Sequence, residues 1–229
     1  MLREFKSRYA GRFSILEFGT SDGYSFTKIL YAARYLGMQD RVTCHAFDTF
    51  VGMPAPQGDQ DRDLVGGDTW VEGQFAGRYD DLERYCASRY ENYRLHKGLF
   101  QDTLTPALLA SLRESPPILI WVDCDFYSSA RSALQTLVAC IPNGCVIYFD
   151  EYEQLNFGSR FTGEAKLVHE INHGLFGDDV ELVPDTELSM NTKRIYRFIR
   201  YRSDVQYTSV ARENGQNMVR YRSNDSPLP

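Results

Sequence analysis

Short apolar runs alternate with helical stripes along most of this 229-residue chain, and no other feature limits the fold as tightly. A run that is apolar at every position cannot turn one side to water, so it reads as a strand buried on both faces, with helices as the covers. Phe13–Phe18 is the first such strand. After it, Phe26, Ile29, Leu30, Ala33 and Leu36 keep helical spacing until Gly37 stops them. Residues 42–47, 93–96 and 118–122 follow as the second, third and fourth strands. The stripe Ala130, Leu134, Leu137, Val138 and Ile141 predicts a helix, and Pro142-Asn143-Gly144 turns the chain into a fifth strand at 145–149. A helix over 163–173 precedes strands at 180–183 and 195–201.

The last connection decides between sheet types. Residues 184–194 show no apolar periodicity and are too few for a parallel crossover, which needs about a dozen or more. The final strand is therefore expected to return antiparallel. The fold class that results is α/β: a three-layer, Rossmann-like sandwich, mostly parallel with the last strand reversed. This departs from the dinucleotide-binding arrangement and suits the class I methyltransferases, which use S-adenosylmethionine (SAM). We expect one domain over 1–202, with a lid inserted at about 55–89. Residues 54–89 are rich in Gly and Asp and end in a predicted helix at 79–88, and long inserted loops are usually functional. The lid has few apolar anchors, so we expect it to move. The tail, 203–229, carries Asn214-Gly215 as a hairpin signal before a final stretch expected to be disordered.

Charge and cysteine content narrow the partners. Asp and Glu number 31 against 25 Lys and Arg, a net charge of −6 with no basic block, which argues against nucleic acid as the partner. The longest apolar runs fall far short of the roughly 20 residues that span a bilayer, so no membrane partner is expected. The opening residues carry no charged-then-apolar leader. The five cysteines are scattered without a CxxC pair, which predicts neither a disulfide framework nor a zinc site. Together these predict a reduced, soluble, cytoplasmic protein, with a homo-oligomer left open.

Glu17-Phe18-Gly19-Thr20-Ser21-Asp22-Gly23 joins the first strand to the first helix in the form acidic–x–Gly–x–x–x–Gly. Glycines permit a tight turn and close approach of a ligand, and loop N–H groups at a helix start can meet a carboxylate. An acid ending strand one suits the cationic amino group of an amino-acid-like cofactor. The dinucleotide pattern GxGxxG is absent, because Ser21 stands where its second glycine belongs. Asp48 ends strand two, where a carboxylate can accept ribose hydroxyls. The plain alternatives are an ordinary strand–helix turn and a strand-end Asp.

Asp123 and Asp125 close strand four, and Asp150 and Glu151 close strand five. Neighbouring parallel strands bring these ends together, and such crowding is costly without a cation or shared protons. Oxygen donors with no His or Cys nearby favour a hard cation, Mg²⁺ above others. Strand alternation points Asp125 away from Asp123's side, unless the loop that begins there turns it back towards the metal. His169 and His173 have metal-ligand spacing on a helix but no third ligand, and read as surface polar residues.

These residues resemble a known family. The strings Glu17 to Ser25, Phe47 to Pro54, Gly98 to Leu104 and Val122 to Ser129 are similar to those of the macrocin (TylF-type) O-methyltransferases, in order from about Ile15 to Tyr152. The resemblance implies a SAM-dependent, Mg²⁺-assisted enzyme that methylates sugar hydroxyls of natural products. It implies SAM contacts at Glu17, Gly19, Thr20, Ser21, Gly23, Tyr24, Ser25, Asp48, Thr49, Gln101, Asp102 and Asp123. It makes Asp123 both a Mg²⁺ ligand and the general base, with Asp150 and Glu151 as further ligands. The chain departs from the commonest pattern at Glu151, where Asp is usual, and shows little similarity in the lid. Two rivals stay open: an NAD-dependent oxidoreductase, to be tested by NAD binding, and a non-catalytic SAM-binding module, to be tested by failure to bind a divalent ion.

Overall fold

The computed structural model describes residues 11–65, 67, 69–153, 158–189, 193–201, 207–210 and 218–221. Strands β1 (Phe13–Phe18), β2 (Val42–Asp48), β3 (Tyr93–Lys97), β4 (Pro117–Val122), β5 (Val146–Phe149), β6 (Val180–Pro184) and β7 (Arg194–Arg200) form one sheet in the order β3-β2-β1-β4-β5-β7-β6. The pairs among β1 to β5 are parallel, whereas β7 lies antiparallel between β5 and β6. The reversed last strand expected from the short connection is there, inserted one place further in.

Side chains alternate across the sheet with period two, which is why both faces need a cover. Ile15, Val146 and Tyr148 pack on one face with Phe26, Ile29 and Leu30 of α1 (Tyr24–Tyr35) and Leu82 and Cys86 of α2 (Tyr79–Ala87). Leu16, Ile147 and Phe149 pack on the other face. Their partners are Ala133, Leu134 and Leu137 of α5 (Tyr127–Leu137) and Leu167 and Ile171 of α6 (Gly163–Ile171). The three layers are helices, sheet, helices.

Two helices lie where periodicity gave no signal. A four-residue α3 (Phe100–Thr103) and α4 (Pro106–Glu114) connect β3 to β4. Their signal was local chemistry: Thr105 accepts the N–H of Leu108 as an N-cap, and Pro106 takes the first turn, where its missing N–H costs nothing. In the tail, β8 (Tyr207–Val210) pairs antiparallel with β9 (Met218–Tyr221), while Asn214-Gly215 and the final residues 222–229 lie outside the described residues. Among the described residues no helix is long and apolar enough to cross a membrane.

The insertion after β2 is tied down by buried carboxylates rather than apolar anchors. Asp61, 2% exposed, accepts the N–H of Gln57 and both the N–H and the hydroxyl of Ser128 at the start of α5. Asp63 accepts the N–H groups of Val65 and Gly67 and the hydroxyl of Thr69. Met53 exchanges backbone hydrogen bonds with Gly73 and Gln74. Acids that look solvating in the sequence are the lid's fasteners.

Candidate active site

The C-terminal ends of β1, β2, β4 and β5 open into one cavity of about 1110 Å³. Pockets for drug-sized ligands run to roughly 300–1,000 Å³, so this one has room for a nucleoside cofactor and part of an acceptor together. Gly19, Thr20, Ser21, Tyr24 and Ser25 line it from the first loop and helix. Asp48 and Thr49 line it from β2, Gln101 from α3, and Asp123, Asp150 and Glu151 from the ends of β4 and β5. The insertion after β2 lines it with Gln57, Trp70, Gln74 and Phe75.

Three expected cofactor residues do not line the cavity: Glu17, Gly23 and Asp102. Glu17 is fully buried beneath the loop, where one carboxylate oxygen takes the Ser25 hydroxyl and Oε2 has no partner. Burial pushes its carboxyl well above the usual range, with Asp123 and Asp48 adding to the effect. An ammonium above Ser25 suits that buried, unpartnered acid, so its place fits support of a cofactor's amino group from below. Gly23 gives room to α2 instead: a Cβ there would press on the Leu82 side chain. Asp102 faces solvent.

Gly19 is needed for a reason the sequence reading did not supply. Its φ is +89°, and an added Cβ would overlap the Asp123 carbonyl, so the glycine lets two strand ends meet before it serves any ligand. Asp48 is similarly busy, accepting the N–H of Ser21 at 2.8 Å and that of Phe50 at 2.6 Å. It fixes the loop while facing the cavity, and burial raises its carboxyl despite those donors.

The acids at the ends of β4 and β5 meet as topology requires. Asp123, Asp150 and Glu151 each bring a carboxylate oxygen within 4.8 Å of the others, the one group of three or more such side chains among the described residues that could hold a metal ion. Each aspartate is held by an aromatic residue two positions earlier on its own strand. Trp121 Nε1 lies 3.3 Å from Asp123 Oδ2, and the Tyr148 hydroxyl donates to Asp150. The two rings stack at 3.8 Å between registered positions of neighbouring strands. Burial, then the charge of Asp150, pushes Asp123 up to about 7.

The cluster is larger than the sequence suggested. Asp125 does not turn away: φ of +60° bends it back to line the cavity, and burial with Asp123 and Asp150 nearby raises its carboxyl. The chain leaves strand geometry at Asp123, so alternation no longer governs it. Glu164 is a fifth acid, 1% exposed on α6, and its Oε2 accepts the Glu151 N–H at 3.2 Å. Burial drives both glutamates upward; Asp125 and Glu164 add to the effect at Glu151, and Asp123, Asp125 and Asp150 add to it at Glu164. Glu151 Oε2 and Glu164 Oε1 have no hydrogen-bond partner. A hard divalent cation fits such a donor set: oxygen-only, crowded, and short of positive charge.

The histidines stay outside. His45 and His96 stack between β2 and β3, and burial lowers them to about 3 and about 4, which leaves them neutral. His173 Nδ1 lies 2.6 Å from the His169 carbonyl oxygen within the α6 region.

Comparison with known proteins bears on the whole arrangement. The profile of the Macrocin-O-methyltransferase (TylF) family matches residues 14–183. The crystal structure of CalS11, a calicheamicin methyltransferase, superposes with a TM-score of 0.67 at 20% identity, covering 86% of this chain and 75% of that one. The O-methyltransferase NovP gives a TM-score of 0.61 at 18% identity with the same coverage. An apo structure of CalS11, described as a TDP-rhamnose 3'-O-methyltransferase of calicheamicin biosynthesis, gives 0.56 at 18%. At these identities the likeness is one of fold. No curated protein matches the chain.

Proposed function

The chain belongs to the macrocin-O-methyltransferase family, and on that premise we propose that it methylates a sugar hydroxyl of a natural product, using SAM and a Mg²⁺ ion. Membership makes it a SAM-dependent O-methyltransferase and removes the oxidoreductase reading. The sugar acceptor and the metal are the finer part of the proposal. The observation that carries it is the meeting of Asp123, Asp150 and Glu151 on the wall of a cavity with room for the cofactor and part of an acceptor. The calicheamicin enzyme's TDP-rhamnose acceptor supports a glycosyl hydroxyl here.

When bound, Mg²⁺ supplies Lewis acidity that lowers the acceptor hydroxyl's pKa, and SAM supplies an electrophilic methyl group. The chain's own residues do the rest. Asp123, on the wall of the cavity, is positioned to take the hydroxyl proton, and Trp121 holds its orientation. Tyr148 and Lys193 hold Asp150, and Glu164 holds the backbone of Glu151. Thr20 and Ser21, at the start of the loop, face the cofactor's end of the cavity, with the buried Glu17 beneath. The lid, fastened through Asp61 to α5, keeps water from the transfer.

The test is transfer of a radiolabelled methyl group from SAM to a panel of glycosides and nucleotide sugars, with and without EDTA. Product on a sugar hydroxyl, lost in EDTA and restored by Mg²⁺, is the expected result. Full activity in EDTA would remove the metal. Methylation confined to aglycone hydroxyls would remove the sugar.

A further inference from the structure

The carboxylate cluster contains a cation of its own. Lys193 directly precedes β7, and because β7 runs against β5, with Arg194 opposite Phe149, the start of β7 lies level with Asp150. The Lys193 ammonium pairs with Asp150 Oδ2, while the other oxygen of Asp150 takes the Tyr148 hydroxyl. Asp150 is largely withdrawn from water, its side chain 17% exposed, and Lys193 is half-buried at 34%. Lys193 also lines the cavity beside Glu151 and Asp123. Asp150 therefore has both oxygens engaged within the group of acids that would receive a divalent ion.

We propose that Lys193 is an internal counter-cation that competes with the divalent ion for Asp150, and so sets how much metal the enzyme needs. The inference rests on the reading that Asp123, Asp150 and Glu151 hold that ion. Without the ion, the ammonium neutralises one carboxylate of a crowded, partly buried set and keeps Asp150 in place. With the ion present, two like charges share one carboxylate in a weakly screened setting, and their repulsion weakens metal binding. Lys193 is thus a positioning residue whose removal should improve metal affinity. A residue that only held the loop together would show the opposite sign.

The experiment is calorimetric titration of Mg²⁺ into the full chain holding S-adenosylhomocysteine. The proteins compared are wild type, Lys193→Met and Lys193→Arg. Lys193→Met keeps much of the apolar stem and removes the charge, so Mg²⁺ should bind about tenfold more tightly or better. Lys193→Arg keeps the charge and should bind Mg²⁺ as weakly as wild type. In thermal melts without metal, Lys193→Met should unfold at a lower temperature than wild type, and saturating Mg²⁺ should close the gap. Unchanged or weaker Mg²⁺ binding by folded Lys193→Met overturns the proposal. Should that variant not be recovered folded, Lys193→Gln replaces it under the same two outcomes. Absence of Mg²⁺ binding in wild type and variants alike overturns the metal reading itself, and the competition with it.

Discussion

The carbonyl of Asp123 fills the space where residue 19 would carry a side chain: a Cβ on Gly19 would stand 2.5 Å from that carbonyl carbon. Gly19→Ala should therefore act on stability before it acts on cofactor binding. Backbone overlap together with a positive φ costs roughly 2–5 kcal/mol. For a chain of this size that is roughly 5–15 °C in Tm, read by thermal unfolding without ligand. An alanine variant as stable as wild type but unable to bind SAM would show that Gly19 serves the ligand instead.

Asp123 and Asp150 should separate in kinetics. Asp123→Asn removes a base, which typically costs about 10²- to 10⁴-fold in kcat, and excess Mg²⁺ should not restore it. Asp150→Asn removes one charged oxygen and should be partly rescued by Mg²⁺. SAM affinity, measured calorimetrically, should change little in either. Equal losses with equal rescue would leave Asp123 as a ligand only.

The raised carboxyls make a pH prediction whose sign is fixed. Asp123 moves from near 4 when unfolded to about 7 when folded, so the folded protein holds its proton more tightly. Its stabilising contribution is full below about pH 4 and is lost as pH rises towards 7, at up to about 1.4 kcal/mol per pH unit. Asp125 shifts in the same direction. Metal-free protein should melt at a higher temperature at pH 5 than at pH 8. Saturating Mg²⁺ should recover much of the difference, and Asp123→Asn should make the profile shallower without reversing it. A melting temperature that rises from pH 5 to pH 8 without metal would contradict the carboxylate cluster as described.

Asp61 is the lid's fastener, and Asp61→Ala should free it. The change removes the acceptor for three donors and a charge from the start of α5, at a cost of about 2–3 kcal/mol. Hydrogen exchange over residues 57–75 should quicken markedly while the sheet stays protected. Acceptor KM should rise more than SAM KM. Exchange as slow as in wild type would mean that Met53, Gly73 and Gln74 hold the lid unaided.

Most of the sheet was legible because apolar runs such as Phe13–Phe18 admit one environment, and the ends of β4 and β5 place Asp123 and Asp150 together whatever the loops do. The rest depended on contacts that span the sequence. Glu164 sits among helical positions that look like a surface stripe until α6 buries it against Glu151. Lys193 becomes part of the site only once β7 reverses beside β5. Asp61 and Asp63 carry the composition of a solvated loop, and their burial follows from backbone N–H groups brought to them by the fold. Gly19 was visible, but its neighbour across the sheet was not.

The place of β7 also orders the assembly of the molecule. In the main sheet β6 pairs with β7 alone, so a chain emerging from its N-terminus holds β6 before it has anywhere to dock. Until residues 194–200 arrive, β5 presents a bare hydrogen-bonding edge, and that strand carries the loop with Asp150 and Glu151. The edge that carries Asp150 and Glu151 is thus the last of the main sheet to be finished, by a long-range pairing of the slow kind. A chain cut near residue 190 would keep the cofactor loop and lose the closed edge beside it, leaving an exposed strand open to pairing with other chains.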